Sequence, residues 1–125
     1  MKTRMSMVVL GFLVLVALTA NAQMTMSATG KEVMITGDFS CTSCKLSHPE
    51  TPCAADCCKT CIKAGDPALL TAEDGQMYLL LSGEKQEKMM TPEIEMLLGG
   101  KVKVSGMLVK GMGIQVIYVK EIKKA

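Results

Sequence analysis

Six cysteines and the single histidine of the chain fall between residues 41 and 61, as Cys41, Cys44, His48, Cys53, Cys57, Cys58 and Cys61. Hydrophobic cores use cysteine singly and at scattered positions, so seven such donors in one short stretch point to chemistry rather than to packing. Two Cys-x-x-Cys pairs, Cys41/Cys44 and Cys58/Cys61, are separated by thirteen residues. Paired knuckles at about that separation supply four thiolates to one ion, which suits zinc or, with fewer ligands, copper(I). A rival set is Cys53, Cys57 and Cys61 with His48. His48, in a polar loop before Pro49, reads equally as a ligand or as a solvated side chain. Glu50 and Asp56 are close enough to orient ligands, although capping and solvation explain them as well.

Thiols have another fate outside the cytoplasm. Lys2 and Arg4 precede an apolar run, Met5 to Thr19, and Ala20-Asn21-Ala22 offers a small-residue cleavage site, the pattern of a signal peptide spanning residues 1–22. The run is shorter than the roughly 20 residues needed to cross a bilayer, so no stable membrane insertion is expected after cleavage. The mature chain is then periplasmic or secreted, where accessible thiols are joined as disulfides. A disulfide-stapled interaction domain, with no metal and an unidentified protein partner, is therefore the alternative to a metal site.

The elements that must position these residues follow from periodicity. Residues 23–30 are small and polar and read as a flexible leader. Glu32 to Cys41 alternates, with Val33, Ile35, Gly37, Phe39 and Cys41 on one side, and reads as a half-buried strand delivering Cys41 to its end. Cys44 follows in a loop. Thr51-Pro52 resembles a helix cap with proline at the first position, and Gly65 with Pro67 a stop, predicting a helix over 52–64. On that helix Cys53, Cys57 and Cys61 span roughly 80° of arc. Four cysteines on the helix against two off it leave no room for three unstrained disulfides, because neighbours on one helix cannot bridge without strain.

Beyond the cysteines, Leu69–Ala72 and Met77–Leu81 form a hairpin about Asp74-Gly75. Glu84 to Met90 is polar, with a helix as one option. Thr91-Pro92 and Gly99-Gly100 bracket a short helix, Pro92–Leu98. Lys101–Lys110 and Ile114–Lys123 make a second hairpin about Gly111-Met112-Gly113. The order is mainly β with short helices: a five-stranded, OB-like barrel over residues 31–125, with a Cys-rich helix after the first strand and a Cys-rich insert at 41–61.

Two stretches carry a resemblance. Gly100-Lys-Val-Lys-Val-Ser-Gly106 with Gly113-Ile-Gln-Val-Ile-Tyr-Val-Lys-Glu-Ile122 resembles the closing strands of small bacterial secreted OB-fold proteins. Cys57 to Leu81 resembles uncharacterised members with a histidine and cysteines between the first two strands. The resemblance implies a fold and no activity, and this chain has more cysteines than the pattern leads one to expect.

Composition narrows the functions. The signal holds Lys2 and Arg4, so 12 of 14 cations remain against 12 acidic residues, and about 103 residues make one domain. A mature chain of zero net charge with three aromatics, Phe39, Tyr78 and Tyr118, lacks the cationic, stacking groove of nucleic-acid binders. Nine methionines remain after residue 22; thioethers bind copper, with Met24-Thr25-Met26 as the best pair, but methionine more often fills irregular cores. There is no Gly-x-Ser-x-Gly, no phosphate loop and no second histidine, so no hydrolase or transferase is indicated. Cys41-Thr-Ser-Cys44-Lys45 has the form of a haem attachment with lysine in place of histidine, and nothing else supports that reading. A dithiol oxidoreductase wants its Cys-x-x-Cys at the start of a helix after a strand, and Lys45-Leu-Ser-His48-Pro49 does not read as helix. The sequence thus points to an exported metal-binding module that is not an enzyme, holding zinc or copper.

Overall fold

The computed structural model of this chain describes residues 30–83 and 88–125. The expected signal, residues 23–29 of the leader and residues 84–87 lie outside them. In chain order the elements are β1 (Lys31–Cys41), α1 (Thr42–Ser47), α2 (Ala55–Lys63), β2 (Ala68–Ala72), β3 (Met77–Ser82), α3 (Pro92–Glu95), β4 (Lys101–Gly111) and β5 (Ile114–Lys124). The strands pair in the order β1–β2–β3–β5–β4 and close on themselves as a barrel. Among the described residues only β3 and β5 pair in parallel. This is the OB-like architecture expected, with the Cys-rich segment leaving β1 and returning at β2.

β1 has two neighbours because it is long. Residues 31–38 pair with β4 and residues 37–41 with β2, both antiparallel, so the strand passes from one partner to the other at Gly37. Only glycine fits this handover, since a Cβ at residue 37 would run into the Thr71 carbonyl. The expected alternation places Phe39 and Cys41 in the core and Glu32 and Asp38 in water, and it breaks at Ser40, a polar-side residue that is buried between them. Both hairpins form where their turn residues place them, β2–β3 through Asp74-Gly75 and β4–β5 through Met112-Gly113.

The core is built from branched aliphatics in place of aromatics. Leu70, Leu80, Val102, Val104 and Ile117 join Phe39, and Leu98, from the turns after α3, packs on the same cluster. Methionine contributes less than its abundance implies. Met89 and Met90 pack against the core, but Met34, Met77, Met96 and Met112 are exposed.

Three helical expectations need correction. The helix predicted over 52–64 begins three residues late: the backbone at Ala54 is extended, and α2 starts at Ala55 without a side-chain cap. Proline at 52 sets an extended entry here rather than a first turn. The end is as expected, with Gly65 at φ 106° and its N–H donating to the Ile62 carbonyl. Residues 42–47, expected as loop, form α1, whose start is held by groups distant in sequence. Ser43 N–H donates to Asp66 Oδ2 at 2.8 Å and Thr42 N–H to the Pro67 carbonyl at 3.0 Å. The third helix is shorter than 92–98, four residues capped by Thr91 Oγ1, which accepts the Ile94 N–H. Lys88 to Met90 are not helical.

Candidate metal centre

β1, α1, the extended link and α2 bring the six cysteines to one place. Cys41 ends β1, Cys44 lies in α1, Cys53 in the extended link, and Cys57, Cys58 and Cys61 in α2. α2 packs on β1 with Cys58 against the barrel, where Cys41 and Cys58 are both fully buried and belong to the core. Cys57, on the outer side of α2, is exposed, and Cys44, Cys53 and Cys61 lie between these extremes.

Cys53 and Cys58 are joined by a disulfide with their Cα atoms 6.4 Å apart. The four remaining cysteines, Cys41, Cys44, Cys57 and Cys61, are free thiols. The count of four helix cysteines against two is therefore corrected: with Cys53 off the helix, three stand on α2 and three off it. The observed bridge joins the link to the helix, and neither of its ends lies on β1.

The free thiols converge on Cys44. Its Sγ lies 3.2 Å from Cys57 Sγ and 3.8 Å from Cys61 Sγ. Cys41, Cys44 and Cys61 form a compact trio with every sulfur within 4.8 Å of the others. A tetrahedral zinc site with Zn–S near 2.3 Å has sulfur–sulfur edges of about 3.8 Å. The trio thus has the size of one face of such a tetrahedron, and Cys57 stands beside its Cys44 corner. Cys53 and Cys58 also approach Cys41, with Cys53 Sγ 4.0 Å from Cys41 Sγ, but their sulfurs are bonded to each other. The four-thiolate set of the two Cys-x-x-Cys pairs is thereby broken at Cys58 in this oxidation state.

His48 follows α1, exposed, with its backbone N–H on the Cys44 carbonyl at 2.9 Å. Its ring joins none of the clustered groups among the described residues. Glu50 and Asp56 are exposed as well. The acid that orders the site is one the sequence did not single out. Asp66 accepts from Ser43 N–H and, at 2.7 Å, from Ser43 Oγ, fastening the start of α1 to the segment between α2 and β2. Its only sequence signal is an acidic residue placed between a helix-ending glycine and a proline.

The electrostatics favour protonated thiols. The neighbouring sulfur of Cys41, followed by that of Cys57, pushes the Cys44 thiol well above its ordinary range. Cys61 is drawn down by Cys44, but Cys41 and burial outweigh that and leave it raised. Burial acts to raise the Asp66 carboxyl, yet the Ser43 hydrogen bonds, the Cys41 thiol and Thr42 hold it below the usual carboxylate range. Crowded thiols release their protons to solvent as a cation binds the thiolates, which is how a thiolate metal site loads. Cys41-x-x-Cys44 sits where a strand passes into a helix, contrary to the loop expected there, and the Cys44 thiol is raised rather than lowered.

The cysteine cluster is positioned to hold a metal ion. Comparison with protein families, curated proteins and solved structures finds no match to this chain.

Proposed function

We propose that this chain is an exported soft-metal-binding protein, with Cys41, Cys44 and Cys61 as the core ligands and Cys57 as the fourth when the ion demands one. One observation carries the reading: three free sulfurs from β1, α1 and α2 lie within 4.8 Å of one another, on the scale of a thiolate tetrahedron. Thiolates select zinc or copper(I) over hard cations. Three fit copper(I) as they stand, and zinc would draw in Cys57 by a side-chain rotation. The N-terminal signal pattern supports export, and nothing in the site calls for a reaction. In this role the module would carry, buffer or sense the ion.

Native mass spectrometry of the processed protein, before and after a chelator, tests the proposal, with thiols labelled under denaturing conditions. The expected result is one bound zinc or copper and four thiols newly labelled once it is removed, Cys53 and Cys58 staying bridged. A chain that stays metal-free after a thiol has freed Cys41, Cys44, Cys57 and Cys61 would overturn it. The disulfide-stapled interaction domain, which the Cys53–Cys58 bridge favours, would then stand.

A further inference from the structure

Among the free thiols one close pair joins the exposed cysteine to the centre of the cluster. Cys44 Sγ and Cys57 Sγ are 3.2 Å apart, on α1 and α2 respectively. A disulfide needs about 2.05 Å, so the pair closes by a movement of roughly 1.2 Å, within reach of side-chain rotation. The Cys44–Cys61 pair starts at 3.8 Å, and Cys41 is fully buried at the end of β1. Cys57 is the one exposed free cysteine among the described residues. An oxidant arriving from solvent therefore meets Cys57 first, with Cys44 behind it to complete the exchange.

We propose that Cys44 and Cys57 form a second, reversible disulfide that gates the metal site. The oxidant is a small-molecule disulfide of the glutathione-disulfide or cystine class. The Cys57 thiolate attacks one oxidant sulfur, forming a mixed disulfide and expelling one thiolate. Cys44, giving up its proton as it reacts, then attacks the Cys57 sulfur, the Cys44–Cys57 bond forms, and the second thiolate leaves and takes up a proton. Two electrons pass to the oxidant, and the two protons of the protein thiols end on the departing thiols. A small-molecule thiol reverses the sequence.

The consequence for the metal follows from the position of Cys44. It is the corner shared by the compact trio and by the contact with Cys57, so its oxidation leaves Cys41 and Cys61 as the only free thiols. Two thiols do not make a closed zinc site. Conversely, a bound zinc holds its sulfurs about 3.8 Å apart and, with Cys57 as its fourth ligand, ties up both nucleophiles, so a zinc-loaded site resists oxidation. Oxidant and metal thus compete for Cys44. The gate rests on the metal-binding reading; the bridge itself does not.

The full processed chain tests both halves. Metal-free protein is treated with glutathione disulfide, quenched in acid and digested without reduction, and Zn2+ is offered to oxidised and reduced samples. The expected result is a mass loss of two hydrogens, a cross-link between the peptides holding Cys44 and Cys57, and zinc stoichiometry falling from one per chain to none. A thiol should restore it, and preloaded zinc should slow the bridge. Cys61→Ser should still form the same cross-link. Cys44 found joined to Cys61 or Cys41, or Cys57 left as a stable mixed disulfide, overturns the bridge. A bridged protein that still takes up zinc overturns the gate. Reduced protein that takes up no zinc overturns the metal reading and the gate with it, while the peptide map still decides the bridge.

Discussion

Cys44 is where single substitutions should separate ligands from neighbours. It contacts both Cys57 and Cys61 and belongs to the trio with Cys41, so Cys44→Ser should weaken zinc or copper binding more than any other single change. Outer-shell substitutions already cost roughly 10–100-fold in affinity, and loss of this ligand should exceed that in a competition titration. His48→Ala should leave affinity within error, because the ring is exposed and outside the cluster. A large loss there would place the imidazole on the ion. Since Cys44 and Cys61 are both raised, they are protonated at neutral pH and must release protons on loading. Affinity should therefore climb as pH rises, by about tenfold per unit for each proton displaced, and fall away in acid. Asp66 has the opposite sign from the thiols. Its pKa is lowered in the folded chain, so its contribution to stability is complete above the ordinary carboxylate range and disappears as pH falls through its own lowered value. Asp66→Asn should cost about 1 kcal/mol at neutral pH, the usual worth of a helix-start acceptor. It should also flatten the acid limb of a melting-temperature profile. An unchanged profile would mean that Asp66 does not fasten α1.

The helices and the link between them depend on close approach to the barrel. Gly99, at φ 80° in the turn before β4, lies against the link that carries Cys53. A Cβ there would come within 2.9 Å of the Cys53 carbonyl oxygen and 3.1 Å of Ala55 N. Gly99→Ala should therefore destabilise the fold by more than about 1 kcal/mol, from φ strain together with the displaced link. It should also reduce metal affinity, because the start of α2 would shift with Cys57. Denaturant melts and a zinc titration on the same variant would check both; a stable variant with unchanged binding would show that the link yields freely. The same elements mark the limit of what the sequence could tell. Strands and hairpins were legible because their causes are local: alternation along β1, Asp74-Gly75 and the glycines about Met112. α1 was not legible because Asp66 and Pro67, more than twenty residues away, hold its first turn. The start of α2 was misplaced because Thr51-Pro52 is also compatible with an extended entry. The stretch that holds the site could be read directly, since every cysteine lies in it. The pairing could not, because it turned on whether Cys53 was helical, three residues' worth of backbone.

At the scale of the whole molecule the metal site and the core are not separate bodies. Cys41 is a member of the trio and also one of the fully buried core residues, beside Cys58, Phe39 and Val102. The barrel closes through β1, and β1 ends in a ligand. Binding at the site should therefore be felt as global stability. At zinc a hundredfold above the dissociation constant, mass action contributes about 2.7 kcal/mol if only the folded chain binds. For a domain of this size each kcal/mol moves the melting temperature by roughly 4–8 °C, so the ceiling is on the order of 10–20 °C. Free thiols in the unfolded chain also take up zinc and reduce the gain, so a rise of about 10 °C is expected. Cys44→Ser separates this coupling from unspecific binding. It replaces a half-exposed thiol by a hydroxyl of similar size, and should leave the metal-free melting temperature nearly unchanged, within about 0.5 kcal/mol. The zinc-dependent rise should disappear. A rise that survives the substitution would place the ion elsewhere on the molecule. No rise in the parent chain, with zinc bound by mass, would mean that the cluster opens without disturbing the barrel.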